Sequence, residues 1–163
     1  MDKLVIKQKK QTTLVIEDVL GTQGSLSEMV DGYAVRQAQI DMAHQVSKLI
    51  DDEDTLLAEA GTGTGKTFAY IVPALLSGKK VIVSTATKTL QEQLVYKDLP
   101  ILFKACKVSG KARLLKGRDN YVCPQRLELT ETVEQHSRQD WKKLSEIRNW
   151  VDNKTLTGDK AEL

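Results

Sequence analysis

The sequence predicts an α/β fold, a parallel sheet flanked by helices and organised around a phosphate-binding loop. Three observations predict it. The stretch Ala60-Gly61-Thr62-Gly63-Thr64-Gly65-Lys66-Thr67 has the glycine spacing and the Gly-Lys-Thr ending of a Walker A loop. An apolar run from Thr55 to Ala58 precedes it and a helix-forming run from Phe68 to Val72 follows, which is the strand–loop–helix context such a loop needs. Further on, Lys80 to Ser84 reads as a second buried strand, and strand–helix–strand at that separation implies a right-handed parallel crossover.

The loop's residue types follow from its chemistry. Nucleotide phosphates need several backbone N–H donors close together, and glycine reaches the necessary left-handed backbone without a Cβ penalty. A helix N-terminus adds unpaired N–H groups and the positive end of its dipole. Lys66 is spaced to reach the β- and γ-phosphates of ATP, and the Thr67 hydroxyl to ligate Mg²⁺. The first loop position is Ala60 where the strict pattern has glycine.

Bulk properties bound the rest. At 163 residues the chain suits one domain that buries about two thirds of its unfolded surface. Hydrophobic residues make up 40% and charged ones 28%, as in a globular chain. The net charge of +2 is too small to argue for a polyanion partner, so any such contact must come from a local patch. No apolar run approaches the ~20 residues of a membrane span, and the N-terminus lacks a signal-peptide core, so a cytoplasmic protein without membrane contact is expected. Cys106 and Cys123 are then expected as free thiols.

Along the chain, residues 1–14 read as a loose extension and 15–32 as loop with a helical piece from Ser25 to Val30. Apolar spacing predicts a helix from Ala34 to Ile50. Arg36 and Gln39 share a face at its start, and the Gln39 carboxamide matches the donor–acceptor pattern of an adenine edge; on periodicity alone, a solvated helix face is the ordinary reading. Pro73 should kink or end the loop's helix, and Ser77-Gly78 should close it. Ser84-Thr85-Ala86-Thr87 follows the second strand, where hydroxyls could hold a nucleic-acid phosphate or simply cap the next helix. That helix is expected from Thr89, with a capping box, to just before Pro100. Lys104, Lys107, Lys111, Arg113, Lys116 and Arg118 form a basic block free of acidic residues, read as a polyanion contact or a solvated surface, with a short third strand from Ala112 to Leu115 inside it. Pro124 starts a helix to about Gln135, and another runs from about Asp140, with Trp141 and Trp150 read as core.

Taken together, Arg36-x-x-Gln39, the loop from Ala60 to Thr67, Ser84-Thr85-Ala86-Thr87, Leu90-Gln91-Glu92-Gln93-Leu94 and Gly117-Arg118-x-Asn120-Tyr121-x-Cys123-Pro124 resemble the N-terminal part of the XPD-like iron–sulfur superfamily 2 DNA helicases, in their DinG/YoaA branch. The resemblance covers roughly residues 15–160. It implies a 5′-to-3′ helicase of DNA repair or replication, with RecA-like motor domains driven by ATP and Mg²⁺ and acting on single-stranded or forked DNA, with other replication or repair proteins as partners. It implies that Gln39 and Arg36 flank the adenine, that Ser84, Thr85 and Thr87 touch the DNA backbone, and that Cys123 is the first of four ligands of a 4Fe–4S cluster. Lys116 and Arg118 are carried as nucleic-acid contacts. On this reading residues 15–116 are the first half of a RecA-like domain and 117–163 the start of the cluster domain. The other three cluster cysteines, an Asp-Glu-x-His motif and an arginine finger are missing from the sequence, so the expectation is a helicase front segment that binds nucleotide but does not turn it over alone. The competing readings are a non-catalytic nucleotide- or DNA-binding module and a small P-loop nucleotide kinase.

Overall fold

The computed structural model describes residues 2–8, 13–132, 136–153 and 157–163. The chain divides into two compact units, Met1–Leu115 and Lys116–Leu163. The expected helix end near Gln135 lies outside the described residues.

The first unit is α/β. Its sheet has three strands, β1 (Asp2–Gln8), β2 (Val81–Thr85) and β3 (Gly110–Leu115), in the order β2-β1-β3. β1 is antiparallel to both neighbours. The expected parallel sheet is thus replaced by a small antiparallel one, and the expected loose extension supplies its central strand. The reason is periodicity. Leu4 and Ile6 alternate with Lys3, Val5 and Lys7, and in a strand alternate residues share a face. Leu4 and Ile6 are fully buried, opposite Val83 and Leu114 and opposite Val81 and Ala112 respectively.

Helices α1 (Ile16–Leu20), α2 (Ser25–Met29), α3 (Gln37–Asp52) and α4 (Lys66–Leu76) complete this core. Ile16, Val19 and Leu20 are buried although their segment reads as loop in the sequence, and Leu26 is buried on the expected helical piece. α3 packs on α4 through Ile40 and Ala43. Pro73 sits inside α4, which continues to Leu76 before Ser77 donates to the Pro73 carbonyl and Gly78 turns left-handed at φ 71°.

The expected strand over residues 55–58 does not form. This run carries no regular secondary structure and is exposed, with Leu57 99% accessible. β2 and β3 each pair with β1 on one side, and the run 55–58 is laddered to the outer edge of neither.

The helix after β2 differs in both its limits. α5 (Lys88–Gln93) is capped by the Thr87 hydroxyl, which accepts from Leu90 N at 3.2 Å, two residues ahead of the expected cap at Thr89. It does not stop before Pro100 but passes through a π turn, Leu94–Asp98, into α6 (Leu99–Ala105). In that turn Leu99 N bonds to Leu94 O. The wider turn seats Pro100 in the first turn of α6, where a missing N–H costs least.

The second unit is sparse. α7 (Pro124–Glu131) and α8 (Arg138–Asp152) pack together, with Leu127 buried and no buried residue on α8. Trp141 is 45% exposed and stands edge-on to His136 at 5.4 Å, so it is not core. Ser137 and Asp140 form a capping box at the start of α8. Arg148 on α8 holds Glu131 on α7 by a two-pronged ion pair.

Leu4→Ala should lower the unfolding free energy by about 3 kcal/mol in urea denaturation. Val5→Ala, on the opposite face of the same strand, should cost less than about 1 kcal/mol. Equal losses would contradict the placement of β1 in the sheet.

Candidate nucleotide-binding site

The loop joins the exposed run 55–58 to α4. Gly63 and Gly65 both adopt left-handed backbone, φ 78° and 79°. Ala60 is outside that region, so a methyl group is tolerated there. Gly65 is the N-cap of α4, and its carbonyl accepts from Phe68 N and Ala69 N at 3.1 and 3.2 Å. Lys66 and Thr67 are therefore the first two residues of α4, at the end where backbone N–H groups lack intrahelical acceptors.

Side chains close the loop on itself. The Lys66 ammonium donates to the carbonyls of Ala60 and Gly61 at 2.7 and 2.6 Å. The Thr64 hydroxyl donates to Gly61 O at 2.9 Å. With these carbonyls drawn toward the lysine, the loop is held curved around its charge. Burial pushes the Tyr70 phenol up, and Thr67, one turn before it, partly offsets that push. A cavity of about 200 Å³ lies between the loop and α3, lined by Gln39, Met42, Glu59, Thr64 and Lys66 among others.

Gln39 enters from the first turn of α3. Its carboxamide nitrogen donates to Gly65 O at 2.9 Å, and its oxygen accepts from the Tyr33 hydroxyl at 3.1 Å. It is 2% exposed. A Cβ on Gly65 would lie 2.1 Å from the Gln39 nitrogen, so only glycine permits this approach. Arg36 is the N-cap of α3 and is exposed. Gln39 thus faces the loop, while Arg36 faces outward. Sequence reasoning missed Tyr33, because nothing local ties a tyrosine before α3 to a glycine after residue 60.

A family model described as DEAD/DEAH box helicase matches residues 36–151, from Arg36 through the loop and into α8. The chain belongs to the DEAD/DEAH box helicase family. It is 45% identical to the ATP-dependent DNA helicase YoaA of Haemophilus influenzae over 150 residues, 90% of this chain and 23% of that protein. It is 49% identical to the YoaA of Escherichia coli over 111 residues, 68% of this chain and 18% of the relative. It is 35% identical to the 3'-5' exonuclease DinG of Bacillus subtilis over 147 residues, 88% of this chain and 16% of the relative. The chain spans less than a quarter of the length of these relatives and corresponds to the N-terminal segment of a DinG/YoaA-like helicase. No solved structure matches it. Membership implies a RecA-like fold, of which this helicase segment shows the α/β layering with an antiparallel sheet.

The remaining site candidates of the helicase segment fall into different surroundings. Ser84 is exposed at the end of β2, the Thr85 hydroxyl donates to Thr87 O at 3.2 Å, and the Thr87 hydroxyl caps α5. These hydroxyls organise the turn at the C-terminal end of β2. Lys104, Lys107, Lys111 and Arg113 are exposed. Lys107 takes a left-handed backbone, φ 51°, where the chain leaves α6. Lys111 and Arg113 stand on the outer face of edge strand β3, where charge also discourages stray strand pairing.

In the second unit, Lys116 is not available as a surface cation. Its side chain is 4% exposed and its ammonium lies 2.6 Å from the Asp159 carboxylate. Lys116 N also donates to the Tyr121 hydroxyl at 3.0 Å, and the Asn120 side chain closes its own turn on Gly117 O at 2.9 Å. Arg118 is exposed and lines a cavity of about 680 Å³ with Cys123, Arg126 and Lys160. A 4Fe–4S cluster needs four thiolates. The sequence has two cysteines, one in each unit, and Cys106 is buried with its thiol pushed up to about 12 by desolvation. Among the described residues no group of three or more potential ligands is placed to hold a metal ion. The residues present do not fit the cluster.

In the native chain at pH 8, a thiol reagent such as Ellman's should titrate Cys123 and not Cys106, and both after denaturation. The raised Cys106 value means that the native state favours the protonated thiol. Stability from this group should be complete below about pH 9 and decline as pH rises toward 12. Fast native titration of both thiols would contradict the burial of Cys106. At the loop, Gly63→Ala meets no atom within 4 Å and should cost about 1–2 kcal/mol for its backbone alone. Gly65→Ala should cost at least about 1 kcal/mol more in thermal denaturation, because it also displaces Gln39.

Proposed function

We propose that this chain is the nucleotide-binding front of the first motor domain of a 5′-to-3′ ATP-dependent DNA helicase. The observation that carries this is the loop itself: left-handed Gly63 and Gly65 opening onto the N-terminus of α4, with Lys66 and Thr67 in its first turn. Bound ATP–Mg²⁺ supplies the free energy for translocation in such motors. Within this chain, the N–H groups from Gly61 to Thr67 receive the phosphates. Lys66, which donates to the Ala60 and Gly61 carbonyls in this structure, would instead hold the β- and γ-phosphates, and the Thr67 hydroxyl would hold the cation. Gln39 contributes by bracing the loop and Arg36, exposed beside it, by closing over the base.

For DNA, the exposed cations Lys104, Lys107, Lys111 and Arg113 support backbone contact, as do the hydroxyls at the end of β2. Arg118 serves this role in the second unit, and Lys116 holds Asp159 instead. The same block favours the second reading, a module that binds DNA without turnover. Repair or replication proteins are its expected partners on the motif resemblance to that helicase branch.

The test is binding. Titration of Mg²⁺–ADP and Mg²⁺–ATP should show saturable affinity that Lys66→Ala weakens at least tenfold. Undetectable binding by the wild-type chain, or binding indifferent to Lys66, would sink the nucleotide assignment. Single-stranded DNA should bind with a salt slope near 0.7 per phosphate neutralised. DNA binding without nucleotide binding would leave the module reading in its place.

A further inference from the structure

Gln91, the fourth residue of α5, is a polar side chain with no solvent exposure at all. Its carboxamide nitrogen donates to Leu115 O at 3.1 Å, and its oxygen meets no donor among the described residues. The amide faces this way round because the flipped form would set two oxygens against each other and strand the nitrogen instead. A buried carboxamide that makes one hydrogen bond gives little net stability. The bond gained and the acceptor stranded oppose each other at similar size. Methionine would fill much the same volume with no polar group to desolvate. What the glutamine adds is one directed bond, so its role lies in where that bond lands.

It lands on the end of β3. β2 and β3 both run antiparallel to β1, so they run parallel to each other, with Thr85 opposite Asp2 and Leu115 opposite Lys3. Their C-terminal ends therefore share one end of the sheet, with β1 between them, about 10 Å apart at the ordinary ladder spacing. Gln91 reaches from the helix after β2 to the last carbonyl of β3. Its backbone also holds the turn after β2. Gln91 N donates to Thr87 O at 3.2 Å, and the Thr85 hydroxyl donates to the same carbonyl, also at 3.2 Å. Leu90 N, next to it, donates to the Thr87 hydroxyl. The hydroxyls of residues 85 and 87 are thus placed by the backbone of 90–91, and the Gln91 side chain fastens that backbone to β3. We propose that Gln91 is a positioning residue for single-stranded DNA, acting through the hydroxyl turn at the end of β2. This rests on the reading that the turn binds the DNA backbone. Gln91, being buried, touches no DNA; it keeps the turn in one place, so that binding has less ordering to offset.

A fluorescein-labelled oligothymidylate is titrated by anisotropy with the wild-type chain, Gln91→Met, Thr85→Val and the double variant, across a series of salt concentrations. Gln91→Met keeps the length and removes the bond to Leu115 O. It should weaken DNA binding roughly five- to tenfold. The salt slope should stay as in the wild-type chain, because no cation is removed. The melting temperature should stay within about 4 °C of the wild-type value, since the stranded oxygen goes with the lost bond. The double variant should bind no more weakly than Gln91→Met, because the turn that carries Thr85 is already displaced. Unchanged DNA affinity in Gln91→Met, or independent multiplicative losses in the double variant, would each overturn the proposal. A merely structural role would lower the melting temperature and leave affinity below the transition untouched, which also overturns it. If Gln91→Met does not fold, Gln91→Glu decides. Its protonated acid can donate to Leu115 O and its carboxylate cannot, so affinity relative to the wild-type chain should recover as pH falls from about 8 to about 5. A ratio that does not change with pH overturns the proposal. A wild-type chain that does not bind the oligonucleotide removes the DNA reading itself and this inference with it, whereas failure in the variants removes the inference only.

Discussion

The first unit depends on β1, because the strand ladders run through it. β2 and β3 each pair with β1. The segment also delivers Leu4 and Ile6, both without solvent exposure, into the cluster that includes Ile71, Leu75, Leu99 and Leu102. Burying a large aliphatic side chain stabilises by about 1.5–3 kcal/mol, and here two of them arrive on one short strand. Ladder and core are thus coupled: removing the strand's apolar face also removes the reason for the sheet to form. The exposed run at 55–58 joins neither ladder: its Leu56 and Leu57 have the composition of a strand, yet both are exposed beside a sheet built as β2-β1-β3.

What was legible in the sequence was local. The loop from Ala60 to Thr67, the start of α7 at Pro124 and the position of β2 follow from residue types and spacing within a few positions. β1 was not legible, because Leu4 and Ile6 lie in a polar, lysine-rich stretch whose pairing partners are some eighty and more residues away in sequence, at Val81–Thr85 and Gly110–Leu115. The sequence could show that these residues alternate; it could not show against what. Pro100 misled for a different reason. Proline ends a helix only if the helix keeps its pitch, and the π turn at Leu94–Asp98 changes the pitch just before it. Thr87 and Thr89 are chemically equivalent caps, and the backbone at Thr87, φ −128°, ψ 146°, decides between them.

The site divides along the same line. Glycine positions and Gly-Lys-Thr state what the loop can bind, since they act through their own backbone. Gln39 states much less. A carboxamide complements any group pair with one donor and one acceptor, so an adenine edge and the pair Tyr33 hydroxyl–Gly65 carbonyl satisfy it equally well. The second pair is assembled by the tertiary fold, from a loop before α3 and a turn before α4. A residue of this kind can be recognised as important from its motif while its contacts stay open until the surrounding chain is placed.

The second unit shows how one motif can mix scaffold and chemistry. In Lys116-Gly117-Arg118-x-Asn120-Tyr121-x-Cys123, the lysine neutralises Asp159, Asn120 ties the short turn to Gly117, and Tyr121 receives the Lys116 N–H. A buried ion pair of this kind is expensive to break, since either partner alone leaves a desolvated charge. Those residues therefore read as the frame of a unit that buries few side chains of its own. Arg118 and Cys123 differ, because they are exposed and line the same cavity with Arg126 and Lys160. Asp119 and the C-terminal Leu163 line that cavity too, so its wall carries both signs of charge and the exposed pair stands apart from the frame by accessibility.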